Sequence, residues 1–345
     1  MPKCTLCLIN EADKTGSHVV PHFLMKTIDN ADHVKGRDKE LGFKITEDFV
    51  TPYFGRDVST NKLDEVFGEL TEEDITASRS DIIADYIYCT SCEKKFSSLE
   101  SAYAPTLNID GSEVYQSTKS SLTAFLFWTS IVWRLSAYGK LGFKLAQNEE
   151  NRLRVTLDKL LIAEVIDERD TATKAMFEDI RYVILRAPGY ADKNETATYY
   201  HSKHRFPYCL LLGEYALFYY MKSSHVKSPQ QSFFGLEKLL NRAPLNSIRN
   251  AEKIYPVTDE QMKSTWDSFV DFVNATRIKS LFRTLDELHI KLGGNGKHMH
   301  PKDKYDILNE IMAEGKDLGR TFTFEDIKQS TFKVLNKNHG ITSKQ

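Results

Sequence analysis

The sequence has little net charge, few cysteines and no long hydrophobic run. Its 46 lysine and arginine residues nearly balance 48 aspartate and glutamate residues, which leaves a formal net charge of -2. This balance gives no general case for nucleic-acid binding, so any such surface must be a local patch. The longest apolar stretch, Leu122 to Val132, is interrupted by Thr129 and Ser130 and is shorter than the ~20 residues of a membrane span. We expect a soluble protein with no membrane partner. Because no signal peptide precedes Cys4, we expect it in the cytoplasm.

Five cysteines are too few for a secreted disulfide scaffold. Four of them form two Cys-x-x-Cys pairs, Cys4 with Cys7 and Cys89 with Cys92, and Cys209 lies alone in an apolar run. Two such pairs can supply four thiolates to one tetrahedral zinc ion, and disulfides are the alternative. A structural zinc ion would stabilise a segment that has little apolar content of its own before the second pair. Cys209 is most simply a small buried hydrophobic residue.

The hydrophobic pattern predicts a mixture of helices and strands, with a change of character after Pro105. We therefore divide the chain into domains over 1–104 and 105–345. The segment 27–84 is polar and is interpreted as an insertion with short strands near its middle. Helices are predicted over 91–103, 117–139, 148–168, 259–288 and 302–314, and strands over 17–20, 85–88, 182–185, 197–201, 208–212 and 215–220.

A histidine and a glutamate stand beside the two cysteine pairs. His18 lies in the segment Ser17-His18-Val19-Val20-Pro21 behind the first pair, and Glu93 directly follows Cys92 at the start of a predicted helix. Closing the four cysteines on one zinc ion would bring His18 and Glu93 together. This combination resembles the zinc-stapled HNH endonuclease family, whose core is the ββα-metal (His-Me) finger. The resemblance covers residues 1–104.

The resemblance implies a fold, and with the rest of the chain it gives an α+β protein. Residues 1–104 would form a small zinc-bound ββα-metal module of treble-clef-like shape. Residues 105–345 would form a larger mixed domain of helices with an antiparallel sheet. That larger domain would select the substrate, bind a partner protein or mediate self-association.

The resemblance also implies a reaction, the hydrolysis of phosphodiester bonds in DNA or RNA, in an effector of bacterial defence against phage. His18 would act as the general base, since an imidazole with a pKa near ~6.5 can take a proton from water at neutral pH. Glu93, with Glu100 on the same helix as a second candidate, would bind Mg²⁺ or Mn²⁺, which stabilises charge on the phosphate.

A second hypothesis is a catalytically inactive, zinc-scaffolded module that binds protein, nucleic acid or a small ligand. The family commonly has an aspartate where this chain has Ser17, and an asparagine where it has Ala84 and Asp85. In this interpretation His18 is hydrogen-bonded into the knuckle, and Glu93 complements the helix dipole. Glu100 is then a solvated or salt-bridged residue on the helix surface.

Further histidines lie outside these motifs. His22 follows Pro21 and is expected on an exposed helix. The basic cluster 201–205 is expected in a solvated turn, and His298 and His300 in a loop beyond a glycine-rich link. None of these positions is assigned a function.

Overall fold

The computed structural model describes residues 2–21, 24, 41–45, 50–54, 83–108, 111, 113–117, 120–161, 175, 177–190, 198–228, 232–313 and 324–340. His22 and most of the predicted insertion 27–84 lie outside the described residues. Two units are formed. The first comprises Met1–Lys44 and Pro52–Asp267, and the second comprises Ile45–Thr51 and Ser268–Gln345. The division expected between residues 104 and 105 stays a prediction.

Helices and strands alternate irregularly along the described chain. In order they are β1 (Ser17–His18), β2 (Leu41–Ile45), β3 (Val50–Phe54), β4 (Ile83–Ala84), α1 (Thr90–Tyr103), β5 (Tyr115–Gln116), α2 (Ser121–Tyr138), α3 (Gln147–Leu160), β6 (Arg181–Arg186), β7 (Thr198–Arg205), β8 (Tyr208–Leu212), β9 (Tyr215–Tyr220), β10 (Lys253–Pro256), α4 (Asp259–Lys291), α5 (Pro301–Ala313) and α6 (Phe324–His339).

Helix α2 lies at the centre of the first unit, because it is apolar almost all round and nearly every residue of it is buried. The side chain of Ser120 accepts a hydrogen bond from the Thr123 N–H at 3.1 Å and caps its N-terminus. Gly139, with a φ of 70°, ends the helix in the left-handed conformation. The helices predicted over 91–103 and 117–139 are confirmed. The helix predicted over 148–168 is confirmed as α3, which ends at Leu160.

The larger sheet is mixed. Among the described residues it has eight strands in the order β3-β2-β7-β8-β9-β6-β10-β5. Strands β6, β8 and β9 pair antiparallel, and Gly213 and Glu214 form the short hairpin turn predicted between β8 and β9. However, β10 runs parallel to β6, and β2 runs parallel to β7. The expectation of an antiparallel sheet is therefore wrong, because it missed the short strand β10 and the pairing of β2 with β7.

A second, two-stranded sheet lies near the N-terminus. In it β1 pairs antiparallel with β4, so that Ser17 faces Ala84 and His18 faces Ile83. The strand predicted over 85–88 is wrong. The strand ends at Ala84, and Tyr86 has a φ of 58°, which an extended strand does not allow. The structure thus shows a mixed α and β fold with a short hairpin-like pair ahead of α1, and the zinc-bound ββα-metal module stays a prediction.

One hydrophobic core extends through the first unit. It contains side chains from the N-terminal segment, such as Leu6 and Val20, from α1, such as Phe96, and from the large sheet, such as Leu217. Trp133 of α2 stacks on Phe96 with ring centroids 6.2 Å apart. The residues around the cysteine pairs therefore fold against α2 rather than as a separate cluster.

The second unit contains the C-terminal part of α4 together with α5 and α6. Its own core includes Leu285, Met299, Ile307, Ile311 and Val334. The helices predicted over 259–288 and 302–314 are confirmed as α4 and α5, and α6 was not predicted. In the part of the chain that the structure describes, no helix combines the length and apolar character needed to cross a membrane.

Candidate metal centre and adjoining cleft

The two cysteine pairs meet. The Sγ atoms of Cys4, Cys7, Cys89 and Cys92 all lie within 4.8 Å of one another, and those of Cys7 and Cys89 are 4.0 Å apart. In a tetrahedral site with zinc–sulfur bonds of ~2.3 Å, the sulfur atoms are separated by about 3.8 Å. All of these cysteines are free thiols, so the disulfide alternative is not realised. The chemistry and spacing of the four thiols fit a zinc ion.

Backbone hydrogen bonds shape the first knuckle. The N–H of Leu8 donates to the Cys4 carbonyl at 2.9 Å, and the N–H of Cys4 donates to the Asn10 carbonyl at 2.8 Å. Leu8 has a φ of 59°, a left-handed conformation that is uncommon for a residue other than glycine and marks a tight turn. The Asn10 side-chain amide also donates to the Cys89 sulfur at 3.6 Å. These hydrogen bonds help to orient the thiols of both pairs toward one point.

Cys4 and Cys92 of the cluster are linked by a hydrogen bond that separates the pKa values of their thiols. A hydrogen bond from the Cys92 thiol lowers the pKa of Cys4 to about 4, and the same bond raises the pKa of Cys92. This hydrogen bond therefore favours the thiolate form of Cys4. Since the thiolate is the form that binds a metal, this arrangement favours metal binding.

The second knuckle leads straight into α1, and Asp13 caps this helix from another part of the chain. Its Oδ1 atom accepts a hydrogen bond from the Thr90 N–H at 2.7 Å, and its Oδ2 atom accepts one from the Thr90 hydroxyl at 3.2 Å. The helix has no capping bond from the side chain of Cys89, its own N-cap residue. Asp13 thus connects the segment after the first cysteine pair to the helix after the second.

A cleft of about 260 Å³ opens beside the cysteine cluster. It is lined by Lys14, Gly16, His18, Thr90, Glu93, Lys94, Ser97 and Glu100. The three residues that the sequence assigns to catalysis or to a divalent cation, His18, Glu93 and Glu100, therefore share one cavity. Sequence reasoning did not identify the two lysines, which bring positive charge to the same cleft.

His18 is placed by the strand β1 and by the turn before it. The side chain is 8% exposed and lines the cleft. Gly16, with a φ of 71°, makes the turn into β1, and its N–H donates to the Asp85 Oδ1 atom at 2.7 Å. Asp85, which stands near the position where the resembling family has an asparagine, therefore fixes the turn that precedes His18.

Glu93 is half-buried in the first turn of α1, close to Ser17. Burial raises the pKa of its carboxyl group, while the neighbouring Ser17 hydroxyl and the charge of Arg134 act in the opposite direction. The nearby negative charge of Glu100 also raises this pKa. A cation bound in the cleft would relieve both the burial cost and the repulsion between the two carboxylates.

Glu100 is engaged by a buried arginine. Its Oε1 atom accepts a hydrogen bond from the Nη1 atom of Arg134 at 2.7 Å, and the arginine side chain is only 2% exposed. Sequence reasoning missed this residue. A signal was nevertheless present, because a single charged residue inside a helix that is apolar all round requires a polar partner.

Among the described residues, the four cysteines are the group of metal-ligating side chains that lie close enough together to bind one ion. His18, Glu93 and Glu100 line one cleft without forming such a group. A divalent cation there would need additional oxygen ligands from water or from a bound phosphate, which is usual for Mg²⁺. The cation site therefore stays a prediction.

The other histidines and the basic cluster that the sequence contains lie in a strand and in a loop. The cluster 201–205 lies within strand β7 and not in a turn, because the strand continues to Arg205. The Nδ1 atom of His298 lies 3.0 Å from the Asp286 Oδ2 atom, and the Nδ1 atom of His300 accepts a hydrogen bond from the Lys302 N–H at 3.3 Å. These two histidines precede α5, as the predicted loop requires.

No protein-family model, curated protein or solved structure matches this chain. The resemblance of residues 1–104 to the zinc-stapled HNH endonucleases therefore stays a prediction that depends on the cysteine spacing and on the cleft beside it.

Proposed function

We propose that this chain is a metal-dependent nuclease of the HNH type, which hydrolyses phosphodiester bonds in DNA or RNA. One observation carries the proposal. His18 and the carboxylates of Glu93 and Glu100 line a single cleft beside four thiols arranged for zinc, although the two cysteine pairs are far apart in sequence. In this proposal the zinc ion has a structural role, because four thiolates leave no open coordination position.

The side chains of the cleft have complementary tasks in phosphodiester hydrolysis. His18 takes a proton from the attacking water. Lys14 and Lys94 attract the phosphate and offset part of its charge. A Mg²⁺ or Mn²⁺ ion, when bound, supplies the positive charge that stabilises the phosphate as it is attacked.

Glu93 is the better placed of the two carboxylates to hold the cation. It lies in the first turn of α1 immediately after Cys92, so the cysteine cluster helps to fix its position, and the residue is half-buried. Glu100 already has an ion pair with Arg134 at 2.7 Å, which reduces the negative charge that it can offer to a cation. Glu93 is therefore proposed as the ligand, with Glu100 in a supporting position.

Two departures from the family pattern are accommodated in this proposal. Ser17, at the place of the usual aspartate, lies beside Glu93 and lowers the pKa of its carboxyl group. Asp85 holds the turn before His18 through the Gly16 N–H, which is a way to fix the base without the family's asparagine. Both residues act next to the base or the proposed ligand.

Replacing the base tests the proposal. Supercoiled plasmid, single-stranded DNA and RNA are incubated with the purified full chain in Mg²⁺ or Mn²⁺, and cleavage is followed on gels. We expect His18→Ala to lower the cleavage rate by about 100-fold or more, since general-base catalysis contributes about 10²–10⁴-fold. Glu93→Gln should also lower the cleavage rate, since it removes the carboxylate proposed to bind the cation. His298→Ala and Glu11→Gln change an exposed histidine and an exposed glutamate that do not line the cleft, and should leave the rate unchanged.

Zinc content and circular dichroism of each variant show whether its fold is kept. A folded, zinc-loaded His18→Ala protein that cuts at the parental rate would contradict the role of His18. A zinc-loaded parent that cuts none of the substrates with either cation would favour the non-catalytic binding module instead.

A further inference from the structure

We propose that Arg134 is a positioning residue of the candidate active site, which holds His18 and Glu100 in place from helix α2. This inference rests on the proposed nuclease function. It adds a residue outside 1–104 to the site, and it means that the buried helix α2 helps to position the residues of the cleft.

Four hydrogen bonds define the position of the guanidinium group. Its Nη1 atom donates to the backbone carbonyl of His18 at 3.1 Å and to the Oε1 atom of Glu100 at 2.7 Å. Its Nη2 atom donates to the Ser130 hydroxyl at 3.2 Å, and its Nε atom donates to the Ser130 carbonyl at 3.3 Å. The Nη1 atom thus contacts the two cleft residues, while the Nη2 and Nε atoms anchor the guanidinium group to helix α2.

The ring of Phe96 fixes the plane of the same group. The guanidinium carbon lies 5.0 Å from the ring centroid, within the range of a cation–π contact. Phe96 belongs to α1, the helix that carries Glu93 and Glu100. The arginine therefore contacts both elements that build the cleft, namely the strand of His18 and the helix of the carboxylates.

Stability alone does not explain an arginine at this position. Its side chain is 2% exposed and that of Glu100 is 22% exposed, so the ion pair is largely removed from water. Such pairs often contribute no more to stability than well-packed apolar residues of similar volume, because removing two charges from water has a large cost. Helix α2 is otherwise a place where an apolar residue would pack well. Compared with an apolar residue, the arginine adds hydrogen bonds to His18 and Glu100 of the cleft.

Its charge also acts on the cleft as a whole. Two carboxylates share the cavity, and the guanidinium offsets the charge of Glu100 through direct contact. Glu93 can then remain available to a cation. A lysine would keep the charge, but its single ammonium group cannot form the same planar fork to His18, Glu100 and Ser130 together.

Arg134→Lys tests the inference, with Arg154→Lys as a matched control. Arg154 also reaches from a helix of the first unit to the N-terminal segment, where its Nη1 atom donates to the Leu6 carbonyl at 3.0 Å, but it does not line the cleft. We expect Arg134→Lys to lower kcat by at least about 10-fold, with little change in KM for nucleic acid. Arg154→Lys should keep the parental kcat, and both variants should keep their zinc.

A second readout does not depend on cleavage. In protein labelled with ¹⁵N-histidine, the ring signals of His18, assigned with His18→Gln, should shift in Arg134→Lys and stay in place in Arg154→Lys. Unchanged His18 signals together with parental kcat in Arg134→Lys would overturn the inference and leave the nuclease proposal intact. If the parent cuts no substrate, the ring signals still decide whether Arg134 positions His18.

Discussion

At the scale of single residues, the first unit buries several ionisable groups inside hydrogen-bond networks. Glu252 is 0% exposed and accepts a hydrogen bond from the Tyr103 hydroxyl at 2.7 Å and another from the Ser117 hydroxyl. Trp128 of α2 donates in turn to the Tyr103 hydroxyl at 3.0 Å. Burial raises the pKa of the Glu252 carboxyl group, so the folded chain favours its neutral form.

This raised pKa predicts a pH dependence of stability. Above the ordinary value of 4.5, Glu252 ionises in the unfolded chain while the folded chain retains its proton, so the free energy of unfolding falls as pH rises toward the folded pKa. Glu252→Gln should remove this component and flatten the curve of urea-unfolding free energy against pH. Glu113→Gln, at an exposed site, should retain it. Equal slopes in the parent and in Glu252→Gln would contradict the prediction.

Sequence patterns indicated the types and spacings of the candidate site residues but not the buried charges that hold them. Cys4, Cys7, Cys89 and Cys92 were identifiable because Cys-x-x-Cys spacing encodes metal binding locally. Arg134 was not identified, because its partners His18 and Glu100 lie in distant segments and nothing local marks them. Its burial follows from tertiary packing, which local periodicity does not contain.

At the scale of secondary structure, α1 matters most, because it carries both Cys92 and the cleft carboxylates. Its N-terminus depends on Asp13, which lies 77 positions before Thr90. Hydrogen bonds from Thr90 lower the pKa of the Asp13 carboxyl group, so this cap is fully formed at neutral pH. The helix start is thus fixed by both the cysteine cluster and a cap from a distant segment.

Removal of the cap should weaken the helix and the metal centre together. We expect Asp13→Ala to lower the melting temperature and to speed the loss of zinc to a chelator. Asp13→Asn should have a smaller effect, since its side-chain oxygen still accepts a hydrogen bond. Differential scanning fluorimetry and a zinc-dye competition assay measure the two effects. Glu11→Ala, at an exposed position of the same segment, is the control. An Asp13→Ala protein that matches it in both assays would show that the cap is unimportant.

Long, regular elements were predictable from the sequence, and short ones were not. The periodicity of α1, α2, α4 and α5 extends over several turns, so these helices were located to within a few residues. Strand β10 has four residues, Lys253–Pro256, and pairs only through long-range contacts, so no local alternation could reveal it. The strand expected over 85–88 failed because Tyr86 adopts a left-handed conformation in a segment that pairs with Lys14 and Thr5.

At the scale of the whole molecule, the candidate metal centre belongs to the main core of the first unit. Cys4, Cys89 and Cys92 are members of the same hydrophobic cluster as Trp133 and Leu217. Loss of the metal should therefore affect more than the knuckles. The free energy of zinc binding is a part of the folding free energy wherever the site does not exist in the unfolded chain.

Zinc content provides the corresponding test. Protein purified under reducing conditions should contain one zinc ion per chain by elemental analysis, and a strong chelator should lower the melting temperature of the first unit. Cys92→Ser should reduce the zinc content, while Cys209→Ser, in strand β8, should not. A parent without zinc after refolding in excess metal would refute the site. Cys92→Ser protein with a full complement of zinc would do so as well.

The separation of the two cysteine pairs along the chain also determines the order in which the site residues are synthesised. Cys7 leaves the ribosome 82 residues before Cys89, so the first knuckle stays without its partner thiols until the second has emerged. Arg134 follows His18 by 116 residues and emerges later still. We therefore expect a nascent chain to present all four thiols before the arginine that positions the proposed cleft, so that the cleft is completed only after helix α2 has been translated.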